Sequence, residues 1–327
     1  MNTFGDSFSF TSFGESHSAA IGGVLDGVPA GLHIDLDLIR ANLDRRAGRI
    51  FKSSLGASPR AMRESDEVEW LSGVLDGVTL GTPIAFLIRN RDARPEDYEA
   101  FRHTFRQGHA DSTYAAKYGI RDWRGGGRAS ARETTARVVA GSVAQQMLAD
   151  KGITIQARLV QVGAETNPEH FDETIARYRA EGDSIGGIVR CEVAGLPAGL
   201  GEPIFDKLQA HLAYAILSIN ACKGFDYGSG FEGVTLPGSV ANQHSGGVLG
   251  GITDGTTLSF RCVFKPTAST PKAFAQLQES SNLQIFKSSN NIVVGRHDSC
   301  VALRAIPVVE AMTALVLANF MTIWQTD

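Results

Sequence analysis

Arg124-Gly125-Gly126-Gly127-Arg128-Ala129-Ser130-Ala131-Arg132-Glu133-Thr134 runs three glycines into a cluster of polar groups where a helix should begin. Ser130 and Glu133 have the S-x-x-E spacing of a capping box, which predicts Ser130 as N-cap of a helix continuing through Val138, Val139, Val143 and Met147. Unpaired N–H groups of the first turn, the positive end of the helix dipole, Arg128 and Arg132 would then converge on one anion. For an arbitrary triple glycine, a glycine-rich turn whose arginines pair with surface carboxylates is the commoner case, and on this stretch alone it stays open.

Outward from this point, short β-like runs alternate with helical patterns. Strands are expected at residues 8–13, 20–25, 84–88, 153–162, 187–193, 257–264 and 292–294. Helices are expected at residues 35–46, with Leu36, Ile39 and Leu43 on one side and Gly48 beyond the end, and at 203–219, with Phe205, Leu208, Leu212, Ala215, Ile216 and Ile219 repeating. The class is mixed α/β. No linker, repeat or low-complexity tract divides the chain, so residues 1–327 are read as one domain.

With 43% apolar and 20% charged residues the chain can bury a large core, and a formal charge of −4 argues against general nucleic-acid binding. The arginines are nevertheless bunched. Arg40, Arg45, Arg46, Arg49, Lys52, Arg60 and Arg63 form one zone with Asp44 as its only acid, and Arg121, Arg124, Arg128, Arg132 and Arg137 form another. Two such zones suit a small polyanion better than a polymer. Cys191, Cys222, Cys262 and Cys300 lack C-x-x-C spacing and the N-terminus has no signal-like segment, which predicts a cytosolic protein with free thiols and no membrane partner. The apolar stretch 311–324 is shorter than the ~20 residues a bilayer needs. It reads as a core helix with Pro307 near its start and Val308, Met312, Leu315, Val316 and Phe320 buried.

Gly14-Glu15-Ser16-His17 follows the first strand, and Phe105-Arg106-Gln107-Gly108-His109-Ala110-Asp111 again sets a histidine beside glycine and arginine. Either histidine alone would be structural more often than not. As a pair flanked by arginines, they point to acid catalysis on an anionic substrate. Gly295-Arg296-His297-Asp298-Ser299-Cys300 follows an expected strand, and Asp298 there could be a base, an arginine partner or a turn residue.

These pieces, together with Ser218-Ile219-Asn220-Ala221, Gly246-Gly247-Val248-Leu249-Gly250-Gly251 and Lys265-Pro266-Thr267, resemble in their order the chorismate synthase family over nearly the whole chain. The resemblance implies a β-α-β sandwich, a homotetramer, and a shikimate-pathway lyase. Its reaction converts 5-enolpyruvylshikimate 3-phosphate to chorismate and phosphate by a 1,4-elimination that needs reduced FMN, with NADPH as a flavin reductant left open. By carry-over, His17 would protonate the departing phosphate, His109 the reduced flavin, and Asp298 would assist flavin N5 in removing the C6 proton. The flavin site would comprise Arg128, Ala129, Ser130, Asn220, Ala221, Gly250, Lys265, Pro266, Thr267, Ala268, Ser269 and Arg296. The substrate phosphate calls for bidentate guanidinium groups, and Arg46, Arg49, Arg106 and Arg132 are the candidates.

Ser18 stands where the family usually has glycine, which is tolerable if its φ is negative, and Gln107 replaces a common proline. Residues 47–59 lack the family's third consecutive arginine, so Arg49 and Lys52 align less cleanly than the rest. A non-catalytic phosphate-ligand binding protein would need the arginines but not His17, His109 and Asp298 together. A metal-dependent phosphohydrolase fits poorly because the eight histidines form no H-x-H or H-E-x-x-H pattern, so no metal is expected.

Overall fold

The computed structural model describes residues 1–49, 59–106, 109–267, 270–272 and 298–324. Strands β1 (Thr3–Phe4), β2 (Ser9–Phe13), β3 (Ala20–Asp26), β4 (Val68–Trp70), β5 (Val74–Leu75), β6 (Val78–Thr79) and β7 (Ile84–Arg89) precede β8 (Thr154–Val162), β9 (Gly187–Ala194), β10 (Cys222–Tyr227), β11 (Val248–Leu249), β12 (Ile252–Thr253) and β13 (Leu258–Phe264). The helices are α1 (Leu36–Ala47), α2 (Pro59–Arg63), α3 (Asp111–Tyr118), α4 (Thr134–Ala149), α5 (Phe171–Ala180), α6 (Leu208–Leu217), α7 (Gly238–Ala241) and α8 (Val301–Trp324).

Two antiparallel sheets enclose a layer of helices. One has the order β1-β2-β3-β7-β4, with Phe10 opposite Leu25 and Ile21 opposite Ile88. The other has the order β10-β13-β9-β8, with Phe260 opposite Cys191 and Cys262 opposite Val189. Alternation along β9 buries Val189, Cys191 and Val193 on one face, as a half-covered strand requires. Helix α4 packs on β2 and β3, α8 packs on β8 and β9, and α4 and α8 pack on each other between the sheets. The mixed α/β class read from the sequence is therefore the architecture observed, with the helices in the middle.

Most expected elements form within a residue or two of their sequence bounds. Asp35 caps α1 by accepting from the N–H groups of Asp37 and Leu38, and Gly48 closes it in the left-handed conformation. The expected helix at 203–219 shortens to α6. The chain first turns through Glu202, whose N–H donates to the Asp206 carbonyl at 3.0 Å, and this leaves Phe205 86% exposed rather than buried. The expected strand at 292–294 lies outside the described residues.

The C-terminal helix differs most. It starts at Val301, so Pro307 sits inside it, and the apolar span Val301–Ile323 is long enough to cross a bilayer by length and composition. Of its most apolar 18 residues 94% are buried within the protein, which makes it the central rod of the core. Val308, Met312, Leu315, Val316 and Phe320 are buried as expected.

The two central helices touch at Gly141, where a Cβ would overlap the Cα and Cβ of Ala311. Gly141→Ala should destabilise the protein by roughly 1–3 kcal/mol through overpacking, measured as a lower urea midpoint at unchanged m. An unchanged midpoint would mean that the helices separate without cost.

Candidate active site

The glycine run lies between the end of β7 and the start of α4. Gly125, Gly126 and Gly127 have φ of +61°, +92° and +53°, a sequence of left-handed residues that only glycine adopts without strain. Each of the first two faces an imidazole. A Cβ on Gly125 would fall on Cε1 and Nδ1 of His17, and one on Gly126 would lie 2.9 Å from Cε1 and Nε2 of His109. Adjacent Cα atoms are ~3.8 Å apart, so the two rings flank neighbouring residues of one loop.

His17 is 6% exposed, in the loop between β2 and β3. Its Nδ1 lies 3.1 Å from Ser16 Oγ, and its ring meets Tyr98 edge-on at 4.9 Å between centroids. Ser18 is not among the residues with positive φ, and its hydroxyl donates to the carbonyls of Glu15 and Ala20, both at 2.9 Å, so serine closes this loop. His109 precedes α3 and places Nδ1 3.1 Å from Asp111 Oδ1. Arg106 donates through Nε and Nη2 to Asp111, both at 2.8 Å, and its guanidinium lies over the rings of Tyr98 and Phe101. Burial alone would raise the Asp111 carboxyl, but hydrogen bonds from the Arg106 side chain, His109 and the Arg106 backbone outweigh it and hold the group well below the usual carboxylate range.

Beside the imidazoles lies a buried set of arginines. Arg46 donates from Nε to Thr134 Oγ1 at 3.1 Å and from Nη2 to the Ala131 carbonyl at 2.7 Å. Its Nη1 is buried without a hydrogen-bond partner, 4.0 Å from Asp66 Oδ2. Arg132 donates to Asp66, to Asn90 Oδ1 at 3.0 Å and to the Arg89 carbonyl at 3.4 Å. Arg49 pairs with Asp44 and lies 3.8 Å from Asp66. Arg304 holds both oxygens of Asp298, at 2.8 and 2.6 Å, and donates from Nε to the Arg46 carbonyl at 2.8 Å. Burial, then the neighbouring charges of Arg304 and Arg132, press Arg46 down to about 9 against the pull of Asp66 and Asp298. Such a guanidinium is stabilised by an added anion.

The expected anion cradle takes a different form. Ser130 Oγ accepts from the Arg132 N–H at 3.3 Å and caps a short 3₁₀ turn, Ala131–Glu133, that leads into α4, while the Glu133 side chain pairs with Arg137. Arg128 turns away to the Gly14 carbonyl at 3.1 Å and to Ser12, and Arg132 goes to Asp66, so these two arginines diverge. With Ala129, Arg128 lines a 430 Å³ cavity that also takes in His109, Asp111, Tyr114 and Gly126. That volume is in the range of small-molecule sites.

Asn220 donates from Nδ2 to the Ala129 carbonyl at 3.0 Å, and the Ala221 carbonyl accepts from the Lys265 N–H at 3.0 Å, which ties the second sheet to the glycine run. Asn220 Oδ1 is buried without a hydrogen-bond partner. Asp66 and Ala221 hold left-handed φ of 51° and 66° without being glycine, a strain common at functional sites. Pro266 packs by Gly186, and the Thr267 carbonyl accepts from Ser184 Oγ at 2.8 Å. Gly250 is not brought to this place. It sits at the β11–β12 turn and lines another cavity with Phe225 and Phe231, sharing no lining residue with the first. Ala268, Ser269 and Arg296 lie outside the described residues, as do Gln107, Gly108 and Lys52. Asp66, Arg304 and Asn90 were not singled out in the sequence, and Asp111 was quoted there without a role.

A family model described as chorismate synthase matches residues 8–322. The chain belongs to the chorismate synthase family. It is 44% identical to a chorismate synthase of Christiangramia forsetii, covering 98% of this chain and 97% of that one, and 46% identical to one of Porphyromonas gingivalis, covering 98% and 95%. A solved structure titled "Crystal Structure of Chorismate Synthase" superposes with a TM-score of 0.73 at 28% identity, covering 97% of this chain and 92% of that one. Membership makes the protein a lyase of the shikimate pathway, which serves aromatic amino acid biosynthesis, and implies a small-molecule substrate and a flavin. An unsatisfied buried amide oxygen at Asn220 suits a flavin ring N–H, and the guanidinium set suits phosphate.

Inorganic phosphate at a hundred times its Kd should stabilise the protein by about 2.7 kcal/mol, read as a higher melting temperature than in chloride at equal ionic strength. Arg46→Met should abolish the difference; an equal rise in that variant would remove Arg46 from anion binding.

Proposed function

We propose that the chain converts 5-enolpyruvylshikimate 3-phosphate to chorismate and phosphate by a 1,4-elimination that requires reduced FMN. One observation carries the reading: two imidazoles meet on adjacent glycines beside buried arginines, in a member of the chorismate synthase family. In the reaction the C–O bond to phosphate and the C6–H bond break, a new C=C bond forms, and no net oxidation occurs. When bound, a reduced flavin would supply electron density that makes phosphate a better leaving group.

The chain's own residues bind, orient and move protons. His17, buried against Tyr98, delivers a proton to the leaving phosphate. His109 keeps Nε2 toward the glycine run, where it can hold a proton beside the cofactor ring. Asp298, gripped by Arg304, is the carboxylate that assists removal of the C6 proton. Arg46 and Arg49 supply charge to the substrate phosphate, while Arg106 and Arg132 act through the carboxylates they already hold. Ala129, Ser130, Asn220, Ala221 and Lys265 to Thr267 would border the flavin, and Ala268, Ser269, Arg296 and Gly250 are kept from the family pattern. The four cysteines are free, in keeping with a cytoplasmic enzyme, and exposed Ile204, Phe205, Tyr214 and Phe231 suit subunit contacts in a homotetramer.

The test is an anaerobic assay with photoreduced FMN. Chorismate should form only with reduced flavin; phosphate release without chorismate would sink the reading. His17→Ala and His109→Ala should each lower turnover by roughly 10²–10⁴-fold, as loss of a general acid does. Wild-type turnover in either variant would take that histidine out of the mechanism.

A further inference from the structure

Asp111 is 3% exposed and gathers more charged neighbours than a helix-starting acid needs. Its Oδ2 accepts from the Arg106 backbone N–H at 3.1 Å and from Arg106 Nε at 2.8 Å. Its Oδ1 accepts from Arg106 Nη2 at 2.8 Å and faces His109 Nδ1 at 3.1 Å, with Arg121 Nη1 at 3.5 Å. Held ionised by these donors, the carboxylate can only accept, so Nδ1 of His109 must carry a hydrogen. A neutral His109 then has its lone pair on Nε2, the atom that faces Gly126. The same carboxylate fixes the fork of Arg106, whose guanidinium lies 5.9 Å from the centre of the Tyr98 ring, and that ring meets His17.

We propose that Asp111 is a positioning residue for the elimination: it selects the Nδ1–H tautomer of His109 and, through Arg106 and Tyr98, braces the wall against which His17 sits. This deepens the proposed function and rests on it for its kinetic part alone. Asparagine at 111 keeps the shape but has a single acceptor oxygen. Wherever its amide group points, it either donates to His109 Nδ1, reversing the tautomer, or abuts the Arg106 fork.

The test reads ring nitrogens directly. In uniformly ¹⁵N-histidine-labelled protein, with His109 assigned by its loss in His109→Gln, the neutral wild-type ring should show a protonated Nδ1 and a bare Nε2. In Asp111→Asn the Nε2–H form should become the major one or equal the other. In the chorismate assay kcat should fall roughly tenfold or more, with KM changed less than threefold. A wild-type His109 carrying its hydrogen on Nε2 would overturn the proposal without any variant. So would an Asp111→Asn protein that melts lower but keeps the wild-type tautomer and kcat, because that is a helix-start role only. A wild type that makes no chorismate would instead sink the proposed function, with the nitrogen readout still deciding the tautomer.

Discussion

Three successive left-handed residues, the first two pressed against imidazoles, are the constraint from which the site follows. Only glycine can occupy Gly125 and Gly126, because a side chain at either would be strained in φ and would strike a histidine ring. The loop is fixed at its far end by the 3₁₀ turn that enters α4, and α4 is fixed by its close crossing with α8 at Gly141 and Ala311. Near the start of α8, Arg304 holds Asp298 and reaches the Arg46 carbonyl at the end of α1. Two buried helices thus carry the parts of one site, which lie nearly three hundred residues apart in the chain.

How much of this was legible in the sequence depended on how local each cause is. The strands and α1 were readable because alternation, Asp35 and Gly48 act within a few residues. The glycine run announced a special backbone, and His17 and His109 stood out beside glycine and arginine. The destinations of Arg128 and Arg132 were not readable, since Gly14 and Asp66 are brought to them only by the sheet. Asp66 and Arg304 carry no local signature. One is an acid in a left-handed turn before β4, the other an arginine in the first turns of a mostly apolar helix. Pro307 misled because a proline is expected at a helix start, whereas α8, packed on all sides, tolerates it inside.

Burying Arg46, Arg132 and Arg304 around Asp66 and Asp298 is costly, since removing ions from water outweighs their attraction unless the geometry is good. Here the cost is reduced by hydrogen bonds to carbonyls as well as to carboxylates: Ala131 and Arg89 accept from two of these guanidinium groups, and the third donates to the carbonyl of Arg46. The apolar mass of α4 and α8 supplies the remainder, as the density of such a core leaves the charged groups nowhere to relax.

Under the proposed function, that rigidity is what a leaving phosphate would need. Donors already fixed in place need not reorganise as charge develops, so under that function their effect would fall on the transition state rather than on the ground state. Among these arginines, Arg46 differs in having Nη1 without a hydrogen bond while its other two nitrogens are anchored to Thr134 and Ala131. A guanidinium fixed at two corners with the third uncommitted is aimed rather than mobile. Arg132, with all three nitrogens bonded, serves instead to hold Asp66 and the turn around it in place. The division follows from which nitrogens are engaged: an arginine bonded at all three nitrogens shapes the pocket, and one with a whole nitrogen uncommitted can meet the ligand.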